Sequence, residues 1–234
     1  MKVTAILQRL REYGFWGSVQ VALNRLEVLC FDLRYGVDTF MRVSIPDMEI
    51  GPGREAKEHG YKYDASPIST LAAVLRKLEI TERDVLVDFG SGKGMALFVA
   101  ARFPFRRLIG IEFASDLCDV ARRNMEKLRR RRPDTRRIEI VMGNAEAFAI
   151  TAEQTFFYWF NPFDGVTMRR VMDNVRASLQ EHPRRMVLIF YHPTCTEVID
   201  TFTEFALTHD LQVRGRHFKV YENRFGTAAA GEGP

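Results

Sequence analysis

Cysteine is scarce in this chain: there are three in 234 residues, at Cys30, Cys118 and Cys195. They are far apart and odd in number, which excludes a disulfide framework and a zinc-ligand spacing, so no metal site is expected. Cys118 sits among Leu117, Val120 and Ala121 and reads as a small buried apolar residue. Long apolar runs are also missing. No stretch reaches the roughly 18–20 uncharged apolar residues of a transmembrane helix. Arg9, Arg11 and Glu12 interrupt the continuous apolar region a secretion signal requires, so a cytoplasmic location is the expectation. Charge of neither sign dominates, with a net charge of +4. Much of the positive charge is local: Arg129, Arg130, Arg131, Arg132, Arg136 and Arg137. That run lacks interleaved aromatics for base stacking. It reads as cations at a helix C-terminus, stopped by Pro133, and nucleic-acid binding is not favoured.

Two phosphate-binding motifs fail to appear, and their failure is informative because a related pattern is present. The run Val85-Leu86-Val87-Asp88-Phe89-Gly90-Ser91-Gly92-Lys93-Gly94 reads as a buried strand, an acid at its end and a glycine turn opening a helix. A P-loop places Ser or Thr after Gly-Lys; here Gly94 follows, and Val87 stands where the first glycine belongs. The dinucleotide fingerprint places Gly or Ala where this chain has Met95. A second apolar run, Leu108-Ile109-Gly110-Ile111, ends in Glu112. An acid about 20 residues beyond a glycine turn is placed to accept hydrogen bonds from ribose hydroxyls.

Asp88 to Gly94, then Ile109 to Glu112, Gly143-Asn144-Ala145 and Phe160-Asn161-Pro162-Phe163 resemble, in this order, the motifs of class I S-adenosylmethionine-dependent methyltransferases. The resemblance spans about residues 66–224. It implies an α/β fold: a doubly wound, mostly parallel, seven-stranded Rossmann-like sheet with an antiparallel pair at its end. It also implies S-adenosylmethionine as cofactor, a sulfonium nucleoside that needs no phosphate anchor.

The rest of the chain fits that expectation. Val3, Ile6, Leu7 and Leu10, then Val19, Ala22, Leu26, Leu29 and Leu33, predict two amphipathic helices broken at Tyr13-Gly14. Residues 45–60 are loop-like. Residues 1–65 therefore form an N-terminal helical cap or lid, with a membrane-surface helix as a less favoured reading because Glu27 and Asp32 interrupt the basic face. The methyltransferase domain is residues 66–225, and 226–234 is a flexible tail. Ser66 caps a helix that Pro67 opens. Strands are expected at 85–89, 108–112, 138–142, 156–160 and 186–191. Helices are expected at 93–102, after Ser115, after Asp164 with Val166, Val171, Val175 and Leu179 inward, and at 197–208. Strands 211–216 and 218–222 close the sheet.

In such a sheet ligands lie outside the carboxyl ends of the strands, where the motif residues converge. The resemblance implies roles for them. Gly90, Ser91, Gly92 and Gly94 approach the amino-acid part and ribose of the cofactor. Asp88 orients its amino group, Glu112 takes the ribose hydroxyls, Phe113 lies against adenine, and Asn144-Ala145 reads the adenine amino group. Tyr63 and Ser66, in a segment similar to Tyr-x-Pro-Ser/Thr, close over it. Asn161-Pro162-Phe163 is the catalytic candidate, similar to the Asn-Pro-Pro-Phe/Tyr motif that holds a target nitrogen, but with one proline. His192 is the available base for a hydroxyl acceptor, which would make the chain an O-methyltransferase. Two competing functions use the same kind of sheet: a nicotinamide-dependent oxidoreductase, and a non-catalytic relative that binds RNA.

Overall fold

The computed structural model describes residues 2–41, 64–161 and 163–223. The expected loop at 45–60, Tyr63, Pro162 and the tail at 226–234 lie outside them.

Seven strands form one sheet: β1 (Val85–Phe89), β2 (Arg107–Glu112), β3 (Ile138–Met142), β4 (Phe156–Phe160), β5 (Val187–Tyr191), β6 (Phe205–Val213) and β7 (Arg216–Asn223). Their order is β3-β2-β1-β4-β5-β7-β6. β1 to β5 pair in parallel, and β7 runs antiparallel to both β5 and β6. β1, β4 and β5 are almost wholly apolar because helices cover both faces.

Alternation along each strand sorts the core into two halves. Leu86, Leu108, Tyr158 and Ile189 face α1 (Lys2–Tyr35), α2 (Ile68–Leu75), α3 (Met95–Ala100) and α4 (Ser115–Arg129). Val87, Ile109, Trp159 and Phe190 face α5 (Gly165–Glu181) and α6 (Thr196–Ile199). On that second face Trp159 stacks between Phe89 and Phe190, with centroids 5.4 and 4.6 Å away. Each such fully buried ring contributes on the order of 1.5–3 kcal/mol by leaving water.

Several expectations are corrected. α1 is one helix through Gly14 and Gly17, not two. A single glycine costs about 1 kcal/mol against alanine, too little to break a helix by itself. The expected helix 197–208 stops at Ile199, and strand β6 begins at Phe205. Phe202, Phe205 and Ala206 mimic helical spacing, while the true alternation is interrupted by a bulge between Leu207 and His209. Val166 is exposed; Met168 and Met172 join Val171 and Val175 in the core instead. Ser66 does not cap α2, which starts after Pro67 without a side-chain cap, and Ala114 rather than Ser115 precedes α4. Asp164 does cap α5, accepting from the Thr167 amide at 2.9 Å.

Candidate active site

The turn between β1 and α3 is built on positive φ: +76° at Gly90, +53° at Gly92 and +92° at Gly94. Side chains are disfavoured there, which is the reason for three glycines in this short turn. The Gly90 and Ser91 amides both donate to the Ile111 carbonyl, at 2.9 and 3.0 Å, so the turn folds across β2. Gly110 permits that crossing. A Cβ at Gly110 would lie 2.6 Å from Ser91 Oγ and 2.7 Å from Leu97 Cδ1. Nothing in the motif pattern gives Gly110 this role; a glycine inside an apolar strand is the one sign of close backbone approach.

Glu112 joins the turn to the next helix. Its Oε2 accepts from the Gly92 amide at 2.8 Å and its Oε1 from the Ala114 amide at 2.9 Å. Burial raises the pKa of this carboxyl, and those amides with that of Phe113 oppose the rise. Asp88, at the end of β1, is 2% exposed. Burial first, and then the charge of Glu112, push its pKa well above the ordinary carboxyl range. Among the described residues nothing hydrogen-bonds the Asp88 carboxylate, and buried Ser91 Oγ also has no partner. A buried carboxyl and hydroxyl left over beside an open-backboned turn fit a ligand carrying an ammonium and hydroxyls.

Asp88 pairs in register with Gly110 on one side and Tyr158 on the other. Ser66, instead of capping, shares a buried 3.0 Å hydrogen bond between its Oγ and the Tyr158 hydroxyl. Burial also raises the Tyr158 pKa well above its usual range. In sequence Tyr158 is legible only as part of an aromatic strand.

The segment after α1 is fixed to the same turn. The Asp32 carboxylate accepts from the Thr39 and Phe40 amides, both at 2.7 Å, and from Thr39 Oγ1 at 2.6 Å. The buried Lys93 ammonium pairs with Asp38 at 3.0 Å. Asn124 of α4 receives the Asp38 amide and donates to the Asp38 carbonyl, each at 2.8 Å, and to the Lys93 carbonyl at 3.3 Å. Lys93 thus holds a carboxylate of its own chain.

At the far side of the edge, Asn161 has φ +41° and His192 φ +52°. Phe160 and Tyr191 are paired in register, so these two residues follow neighbouring strand ends. Thr194 Oγ1 donates to Asn161 Oδ1. The exposed His192 donates its amide to the His217 carbonyl at 2.9 Å. The Phe163 ring is buried with the core cluster on the α5 face. Phe113 is half-buried, and Asn144 is exposed. Asn144 Oδ1 accepts from the Glu146 amide at 3.0 Å, capping the short 3-10 turn Ala145–Ala147.

The arginines after α4 mostly bind backbone carbonyls of their own fold. Arg129 reaches Ile138 at 3.2 Å, Arg132 reaches Phe98 at 3.2 Å, and Arg137 reaches Ala101 and Phe103 at 2.5 and 2.6 Å. A depression lined by Arg106, Arg107, Arg136 and Arg137 also contains Glu139 and Glu153, and it lies at the opposite, amino-terminal edge of the strands. Among the described residues, no group of three or more His, Cys, Asp or Glu is placed to hold a metal ion. No helix there is long and apolar enough to cross a membrane.

Comparison with known proteins agrees with this geometry. Residues 61–133, which include the glycine turn and Glu112, match the family described as histone methylation protein DOT1. No curated protein matches the chain significantly. Among solved structures, an RNA methyltransferase from Salinibacter ruber in complex with S-adenosyl-L-homocysteine aligns with TM-score 0.54 and 17% identity, over 72% of this chain and 100% of that one. The ribosomal protein L11 methylase from Lactobacillus delbrueckii subsp. bulgaricus aligns with TM-score 0.52 and 10% identity, over 69% and 80%. A SAM-dependent methyltransferase from Aquifex aeolicus aligns with TM-score 0.50 and 12% identity, over 65% and 88%. At such identities the likeness is one of fold. The strand order is thus shared with solved S-adenosylmethionine-dependent methyltransferases, and the family match adds a likeness to a methylation family over residues 61–133, which is less than half of the chain. A nicotinamide-dependent oxidoreductase is built on a sheet of order 3-2-1-4-5-6, without the β7 inserted here between β5 and β6.

Proposed function

We propose that this chain methylates an amino nitrogen of a protein or small molecule, with Asn161 holding the acceptor. The observation that carries the reading is the pair of left-handed residues, Asn161 and His192, at adjacent strand ends on the edge that bears Asp88 and Glu112. Such backbone conformations cost of order 1–3 kcal/mol and cluster at working sites. The third non-glycine case among the described residues, Arg214, precedes Gly215 in the β6–β7 hairpin and is accounted for by that turn.

S-adenosylmethionine supplies an electrophilic methyl carbon on a cationic sulfur. Asp88 accepts hydrogen bonds from an ammonium, and Glu112 keeps lone pairs free of Gly92 and Ala114 for ribose hydroxyls. The glycine turn admits close approach. Asn161 Oδ1 accepts from Thr194 and retains a second lone pair for an acceptor N–H. A neutral amine held this way keeps its own lone pair for attack and needs no strong base, so the chain's contribution is positioning and exclusion of water. The match to a histone methylation family supports a protein amine as one acceptor class. Residues 66–225 act as the catalytic unit in this reading, with 1–65 shaping the acceptor side.

The neighbouring His192 supports one second reading, a hydroxyl acceptor deprotonated by the imidazole. Kinetics on two variants separate them, using methyl-labelled cofactor and cell extract as the acceptor source. Asn161→Ala is expected to lower turnover by about 100-fold through lost positioning, with S-adenosylhomocysteine affinity retained. Full activity of Asn161→Ala together with an inactive His192→Ala contradicts the nitrogen reading and favours the hydroxyl.

A further inference from the structure

We infer that the outer face of α1 lies on anionic lipid surfaces. Its inner face is set by Asn24, Val28 and Asp32, which are buried, with Phe31 and Tyr35 against the core. The opposite face carries Ala22, Leu23, Leu26, Leu29, Cys30 and Leu33, all exposed. At 100° per residue these six fall within an arc of about 120°, with no charged residue among them. Leu23 and Leu26 are 53% and 55% exposed and Leu33 is 76% exposed. Scattered exposed leucines need no explanation, but a continuous stripe marks a contact surface.

Charge decides the occupant. Glu27 and Asp32, which in sequence interrupt a basic face, are both turned inward. Glu27 Oε2 accepts from the Ser69 amide at 3.1 Å, and Asp32 is consumed by Thr39 and Phe40. What adjoins the stripe at its Leu33 end is cationic. Arg131 donates to the Arg34 carbonyl at 2.5 Å, and Lys127 to the Gly36 carbonyl at 2.7 Å. With exposed Arg34 and Arg130 they form a basic cluster, opposed by Glu126 one helical turn before Arg130. An apolar stripe continued by a basic cluster is the pattern that seats a helix in the headgroup layer of an anionic bilayer. The stripe is also small for self-association. It offers on the order of a few hundred Å², against about 800 Å² per partner in a standard interface.

The test is co-sedimentation of the full chain with phosphatidylcholine vesicles, with and without roughly 30% phosphatidylglycerol. The expected result is partition into the anionic vesicles only, weakening with salt. The double variant Leu26→Glu, Leu33→Glu is expected to lower the partition coefficient at least ~10-fold without changing the melting temperature. Arg130→Glu is expected to lower it several-fold. No partition into the anionic vesicles, or equal partition of the variants, overturns the inference. A dimer in sedimentation equilibrium that the double variant dissolves, with no vesicle binding, overturns it and assigns the stripe to a second copy. A large fall in the melting temperature of the double variant shows that the chain itself covers the stripe, and also overturns it.

Discussion

Asp88 is the residue where stability and the proposed cofactor binding oppose each other. It is a buried carboxyl beside a second one, Glu112, and its folded pKa is raised well above normal. A raised folded pKa means the proton is held more tightly in the native state than in the unfolded chain, where the value is about 3.9. The stabilisation from that proton is complete below the unfolded value and is lost as pH rises through the folded one. Asp88→Asn should therefore raise the melting temperature of the ligand-free protein, by about 2–4 °C for each kcal/mol recovered, and more at neutral than at acid pH. The same variant should weaken S-adenosylhomocysteine binding. Melting curves of both proteins across pH check this, and a wild-type advantage at neutral pH refutes it. Asp88 is legible in sequence as an acid at a strand end. Its isolation is not, because that depends on Gly110 and Tyr158, which only the register brings to either side of it.

At the level of elements, the segment joining α1 to the rest behaves as a wedge between the glycine turn and α4. Its hold is polar: Asp38 to Lys93, and Asp38 backbone to the Asn124 carboxamide. Asn124→Ala leaves the Asp38 amide and carbonyl without partners, at a cost of about 1–3 kcal/mol. Hydrogen exchange at residues 36–40 should accelerate while the sheet stays protected; unchanged exchange there would show that the wedge is held by apolar contacts alone. None of this is readable from the chain alone, since Asp38 and Asn124 are separated by 86 residues. The strands of the sheet interior are readable, since burial on both faces writes continuous apolar runs. Edge strand β6 is not. Much of it meets solvent, and its bulge breaks the two-residue period.

At the scale of the molecule, one sheet gathers Asp88, the glycine turn, Glu112, Asn161 and His192 from neighbouring strand ends onto a single edge. The strand order with one reversed strand, and the glycine turn without a phosphate anchor, point to the same ligand class from topology and from local chemistry. That convergence is visible in outline from the β–α repetition. The outward turn of the α1 leucines is not, because the same heptad-like spacing serves both faces of that helix. The central claim is that this edge binds a sulfonium nucleoside. Calorimetric titration of the purified chain with S-adenosylhomocysteine and, separately, with NAD tests it most directly. The account predicts one S-adenosylhomocysteine per chain, with affinity lost in Glu112→Ala although the variant stays folded, and no NAD binding. Binding of NAD without S-adenosylhomocysteine, or full affinity in Glu112→Ala, would contradict it.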